Sequence, residues 1–330
     1  MIILADILSA TLLFGIPLLV VALGGMFSER SGTINIALEG IMIIGALFSC
    51  LFLKALNGAG WGTANPQLAM LLAILVAGAA GMIFSILLAV AAVSLKADQT
   101  IGGTALNMFA PAFAIVLTWA IQGQGQTTIN IPTWIRITHE DFGLTAPAEA
   151  NFFDALVFKN FYLTTPIVLL ILIITIFVLY RTRFGLRLRS CGEHPHAADS
   201  VGINVYKYRY VGVAISGFLG GIGGLAFTIA AGSGFQSTVA GYGFFALAVM
   251  IFGNWIPVRI LFAALFFALF RVIGSYTASI PFMPDFSGIK SADNIYQMLP
   301  YIVTMIVLIF TSKKSRAPKA EGIPYDKSVR

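Results

Sequence analysis

A chain of 330 residues that is 58% hydrophobic and only 10% charged, with a mean hydropathy of +0.90, cannot cover a water-facing surface, because soluble domains carry roughly 25% charged residues. This excludes an ordinary soluble protein and predicts an all-α, polytopic transmembrane helix bundle. The net charge of +6 is expected on loops at one membrane face rather than on a nucleic-acid site.

Nine apolar runs follow in chain order: Ile7–Phe27, Ile36–Leu53, Leu68–Leu95, Ile101–Ile121, Leu163–Tyr180, Tyr210–Ala231, Tyr242–Ile256, Ile260–Ile280 and Ile295–Thr311. A span needs about 17–25 residues, so the pattern predicts about nine spans, in the range of roughly 8–10. The first run is expected to be a retained span, because no Lys or Arg precedes it and Asp6 sits where a signal peptide is basic. The second follows Ser31-Gly32-Thr33-Ile34-Asn35 and carries Glu39, which predicts a broken or re-entrant helix. The third, at 28 residues, must tilt or project, and the seventh, at 15, is a partial span. The runs are continuous rather than alternating, which excludes a strand barrel. Cys50 lies in an apolar run and Cys191 in a basic loop, with neither disulfide nor metal spacing.

If the loop 181–209 is cytoplasmic and the sides alternate, cytoplasmic segments hold 15 Lys and Arg and outer segments four, leaving Arg271 inside a span. That asymmetry predicts a cytoplasmic C-terminus, and an external N-terminus if the second run spans fully. Residues 1–312 are then one transmembrane domain, with a cytoplasmic loop 181–209 and a long external segment 122–162. Residues 313–330 are expected to be a solvated basic tail.

Within the loop, Gly192–Gly202 reads as a short free-standing helix. Pro195 suits its first turn, Glu193 its cap and Gly202 the position past its end. Its exposed face would be small: Ala197, Ala198 and Ser200. Such a helix is shaped for a groove on a partner; the plainer reading is a capped surface helix. Gly217/Gly221 and Gly220/Gly224 form overlapping Gly-x-x-x-Gly pairs, which predict close helix packing, with a hinge or pore lining as the alternative. Asn35, Glu39, Asn107, Asn254 and Arg271 are polar residues in or beside spans and are candidates for a transport pathway. At about 1.5 Å per residue, Arg271 lies roughly 16 Å into its run and Glu39 about 5 Å into its own, which makes their pairing difficult unless 32–40 dips deeper.

Three segments carry a resemblance. Gly192-Glu193-His194-Pro195-His196-Ala197-Ala198-Asp199-Ser200-Val201-Gly202-Ile203-Asn204 resembles the coupling loop of bacterial ABC-importer permeases for simple sugars and nucleosides, with His194 where Asn is usual. Ser28-Glu29-Arg30-Ser31-Gly32-Thr33-Ile34-Asn35-Ile36-Ala37-Leu38-Glu39-Gly40 is similar to a signature of the smaller permease subunit of nucleoside importers. Ile251-Phe252-Gly253-Asn254-Trp255-Ile256-Pro257 is similar to a turn of the same family. The matches keep family order, and the hydropathy agrees from about residue 7 to 311.

The resemblance implies a multi-pass permease of the bacterial cytoplasmic membrane, not an enzyme and without cofactor or metal. It implies three partners: a second, larger permease subunit, cytoplasmic ATP-binding subunits, and an external substrate-binding lipoprotein. Gly192, Glu193, Pro195, Ala197, Ala198 and Gly202 would then form the ATPase-coupling site. The chain agrees in lacking a Gly-x-x-x-x-Gly-Lys-Ser/Thr phosphate loop. It implies a neutral nucleoside as substrate, with a simple sugar such as ribose as the alternative. An ion-coupled secondary transporter would need more intramembrane carboxylates than Glu39. A membrane enzyme finds no support in His139, His194 and His196, which all lie in loops.

Overall fold

The computed structural model describes residues 2–138, 152–275 and 316–327, with residues 298, 302 and 305. Helices α1 (Ile2–Arg30) and α2 (Leu38–Gly58) are joined by a buried non-helical linker. A single turn, α3 (Trp61–Ala64), precedes α4 (Pro66–Ala89), which continues into a π-helical turn at Val90–Ser94. Next come α5 (Gln99–Gln122), α6 (Phe152–Val157), α7 (Thr164–Arg181), α8 (Arg183–Glu193) and α9 (Pro195–Ser200). The described helices end with α10 (Val205–Ala231), α11 (Tyr242–Phe252) and α12 (Pro257–Ser275). No strand forms among the described residues; two isolated bridges, Ile129–Phe235 and Arg136–Tyr162, pin loops together.

Seven of these helices are long and apolar enough to cross a membrane, against nine apolar runs in the sequence. The seventh run folds as the 11-residue α11, which at about 1.5 Å per residue reaches only halfway across a roughly 30 Å hydrocarbon layer. The ninth run lies outside the described residues, apart from Met298, Ile302 and Met305. The long third run is accommodated by α4 and its π turn, 29 residues in all.

The centre of the bundle is α10, whose glycines let three helices reach its backbone. A Cβ at Gly217 or Gly221 would overlap α4, at Ser85 and at the Ala77 carbonyl respectively. A Cβ at Gly220 would stand 2.9 Å from Ile41 of α2, and one at Gly224 would overlap the Met42 carbonyl. Lipid supplies no hydrophobic drive between helices, so contact at this range, gaining dispersion along whole backbones, is what holds them. Ile83 of α4, Met108 and Val116 of α5, and Ile173 and Phe177 of α7 are exposed, an apolar periphery suited to acyl chains.

The break before α2 is a buried climb rather than a surface loop. Gly212 meets Ser31, Asn35 Nδ2 donates to Ser216 Oγ at 2.8 Å, and Gly220 meets Leu38 and Ile41. The linker therefore rises about two turns along α10, and α2 begins roughly 22 Å from the start of that helix. The second run is thus a full-length helix with a deep start, and Glu39 lies far deeper than the 5 Å that a helix starting at Ile36 implies.

Candidate functional site

At the half-helix, two polar chains meet. The chain leaves α10 at Gly232, is pinned where Ile129 and Phe235 exchange backbone hydrogen bonds of 2.9 Å, and turns inward to begin α11 beside Glu39. The Glu39 carboxylate accepts the N–H of Gly241 at 2.8 Å and of Gly243 at 2.6 Å. A half-helix starting inside the bundle exposes unpaired N–H groups and a positive dipole end, and a buried carboxylate answers both. Between those two glycines, the Tyr242 ring lies 4.7 Å from the Arg271 guanidinium, which also faces Phe14 at 5.4 Å. Glu39 and Arg271 thus both meet the start of α11, one at the N–H groups flanking Tyr242 and the other at its ring, which the deep start of α2 makes possible.

Asn107 and Asn254 also hold backbone, while Asn35 holds the Ser216 hydroxyl. Asn107 bridges α5 to the linker, donating to the Ile36 carbonyl and accepting the Gly40 N–H, both at 2.8 Å. Asn254 follows α11 with φ +52° and Trp255 with φ +54°, two successive left-handed residues whose cost the surroundings must offset. There Asn254 Oδ1 accepts the Arg316 N–H at 2.8 Å, Arg30 donates to the Trp255 carbonyl at 3.1 Å, and Trp255 Nε1 donates to Glu29 at 2.6 Å. None of the five residues lines either of two cavities among the described residues. One, of about 470 Å³, is an apolar groove along Ile44, Ile83, Phe84 and Phe109. The other, of about 500 Å³, is a polar hollow at Lys54, Asn57, Gln122 and Trp134.

At the other end of α11 lies the helix-break-helix element. The segment read as one short helix from Gly192 to Gly202 is the end of α8, a break at His194, and α9. Pro195 opens α9 and Gly202, at φ +82°, follows its end. Glu193 does not cap α9. Its backbone is still helical in α8, and its carboxylate lies 3.8 Å from Arg30, while His194 takes the cap position without a side-chain hydrogen bond. Gly192 lies where a Cβ would overlap the Arg30 carbonyl, so the break is seated on the end of α1. Ala197 and Ser200 face outward with Val201, which is 74% exposed. Ala198, placed on the outer face from the sequence, is turned inward and buried.

What covers Ala198 is the tail, which the sequence alone presents as solvated. Tyr325 is buried with Cys191, Ala198 and Val205, its ring centroid 5.2 Å from His196 and 5.3 Å from Tyr206. The Ala320 N–H donates to the Gly192 carbonyl and Arg209 Nη1 to the Ile323 carbonyl, both at 2.8 Å. Burial pushes the Cys191 thiol up to about 11 against the opposing pull of Arg209. The signal missed in the sequence is Ile323-Pro324-Tyr325, an apolar triplet in an otherwise basic tail.

These features define a polytopic α-helical membrane protein with a half-helix in its core and a small-faced helix presented at one end. Among the described residues no cluster of His, Cys, Asp and Glu is placed to hold a metal ion. The chain belongs to the family of branched-chain amino acid transport system permease components, whose pattern matches residues 7–311. It is therefore a transport subunit and not an enzyme. It is 42% identical to the guanosine ABC transporter permease protein NupQ of Bacillus subtilis, over 99% of this chain and 98% of NupQ. It is 41% identical to the nucleoside ABC transporter permease protein NupC of Lactococcus lactis, over 98% of this chain and 97% of NupC. The same Lactococcus strain has a further relative, the nucleoside ABC transporter permease protein NupB, 24% identical over 92% of this chain and 81% of NupB. No solved structure matches the chain.

Proposed function

We propose that this chain is the smaller permease subunit of an ATP-binding-cassette importer that moves neutral nucleosides inward. The observation that carries this reading is the near-full-length similarity to two nucleoside permeases from different bacteria. NupB, a permease of the same organism as NupC and a longer chain than the aligned part, supports pairing with a second, larger permease. A cytoplasmic ATP-binding subunit hydrolyses ATP, and an external lipoprotein delivers the solute.

In this reading α9 and its flanks, Gly192–Gly202, are the coupling site. Ala197, Ser200 and Val201 present a small uncharged face that enters a groove on the ATP-binding subunit. The end of the bundle bearing α9 and the tail is cytoplasmic, consistent with the excess of Lys and Arg in the segments assigned there. Asn35, Glu39, Asn107, Asn254 and Arg271 serve the pathway by supporting the half-helix and the linker, which line or gate it. Residues 1–312 act as the permease domain.

Uptake of labelled adenosine, uridine and ribose by cells expressing the complete importer tests the substrate. Nucleosides enter and compete with one another; entry of ribose with no entry or competition by nucleosides replaces this reading with the sugar one. Coupling is tested by Ala197→Arg, which puts a long hydrated cation on the docking face. The variant permease should assemble in the membrane and lose substrate-stimulated ATP hydrolysis, and wild-type stimulation refutes α9 as the coupling site.

A further inference from the structure

The docked tail spans between the end of α11 and α9. At its start the Arg316 N–H is held by Asn254, in the left-handed turn that ends the half-helix α11. In its middle, the Glu321 carboxyl lies beside that of Glu29 at the end of α1, and the Ala320 N–H caps the Gly192 carbonyl at the end of α8. At its far end Tyr325 closes over the inner side of α9, between the rings of His196 and Tyr206. Asp326 then ties the strap to Lys96, in the connection between α4 and α5, at 2.6 Å.

Helix α9 is six residues long. A helix so short has no stability of its own, and its orientation is whatever its packing imposes. Its inner side offers the methyl of Ala198, which is buried in one cluster with Tyr325. A partner pushing on Ala197 and Val201 therefore pushes through Ala198 onto the tail. The other end of the tail is fastened to the end of α11.

We propose that residues 316–327 are a strap that transmits motion between the coupling helix and the half-helix, with Tyr325 as the positioning residue that holds α9. The proposal rests on the reading of α9 as the coupling helix. It makes the tail part of the coupling machinery, where composition alone presents it as a solvated basic extension. The route is a chain of contacts, α9 to Tyr325, along the strap to Asn254, and so to α11, and each link is a ring contact or hydrogen bond that a single substitution removes.

The test uses the complete importer reconstituted in vesicles, with Tyr325→Ala, Tyr325→Phe and a chain ended before Arg316. Two readouts are taken: modification of Cys191, which shares a buried cluster with Tyr325, by an impermeant thiol reagent, and uptake kinetics with stimulated ATP hydrolysis. Tyr325→Ala should assemble, expose Cys191, and lower kcat for uptake by roughly tenfold with KM unchanged, the scale of two lost ring contacts. Tyr325→Phe keeps both rings in place and should behave as wild type, and the shortened chain should match or exceed the loss in Tyr325→Ala. The proposal is overturned if Tyr325→Ala exposes Cys191 while transport is unchanged, or if the lost activity only follows a lower amount of permease in the membrane. It is overturned equally if Cys191 stays protected in the assembled variant. Ala197→Arg measured alongside separates the two readings. If it uncouples while Tyr325→Ala does not, the strap fails and the coupling helix stands; if it leaves stimulation intact, the coupling reading itself fails.

Discussion

Removing the Glu39 carboxylate tests whether this buried charge is a latch on α11 or a group that meets the solute. In Glu39→Ala the Gly241 and Gly243 N–H groups, now bonded at 2.8 and 2.6 Å, are left in the bundle without acceptors. Each stranded donor costs about 1–3 kcal/mol, and loss of a carboxylate at a partly buried helix N-terminus adds up to about 2 kcal/mol. The expected local destabilisation is therefore about 2–8 kcal/mol, enough to unseat an 11-residue helix. Glu39→Gln keeps one acceptor oxygen but turns an NH2 toward the other donor, so its loss should be smaller, about 2–4 kcal/mol. The assay is thermal unfolding of the purified importer in detergent, paired with uptake kinetics. Both variants should melt earlier, alanine more than glutamine, and both should lower kcat more than they change KM. A wild-type melting curve for Glu39→Ala would refute the latch. So would a large rise in KM with unchanged stability, which is what a solute-binding carboxylate would give.

Three further outcomes are expected. Cys191, buried and with its thiol pushed up to about 11, should resist maleimide in the native permease at about pH 8, where roughly one part in a thousand is thiolate, and react after denaturation; fast labelling of native protein contradicts the docked tail. Gly221→Ala drives a methyl into the Ala77 carbonyl where α10 crosses α4, so the yield of folded permease should fall sharply, while Gly202→Ala, with nothing within 4 Å and only its φ of +82° to strain it, should cost about 1 kcal/mol. Burial holds the Glu321 carboxyl above the ordinary carboxylate range, with the neighbouring Glu29 carboxyl opposing; a raised docked value means that tail docking is strongest at low pH and declines as pH rises through it, so a spin label at Lys319→Cys should gain mobility as pH rises above the ordinary carboxylate range and Glu321→Gln should weaken that dependence.

Much of the architecture is legible in the sequence because lipid imposes one-dimensional rules. A span must be a continuous apolar helix of membrane length, so the runs containing α1, α4, α5, α7, α10 and α12 read directly, while the second, expected to be broken or re-entrant, forms the full-length α2. Glycines four apart on α10 mark a face, and Pro195 and Gly202 mark the start and end of α9, because these constraints act on the local backbone. Tertiary structure alone decides depth and partnership. The linker 31–37 climbs between α10 and α5 because its polar groups find Ser216 on the first and Asn107 and Gln99 on the second, and that climb carries Glu39 to the start of α11. Glu193 ends α8 and pairs with Arg30 rather than capping α9, and Ala198 faces inward into a cluster with Tyr325, over a hundred residues later. Hydropathy says which residues leave water. It cannot say which polar groups will meet inside, because that depends on where distant backbones cross, and those crossings are set by the contacts of α10 with its neighbours.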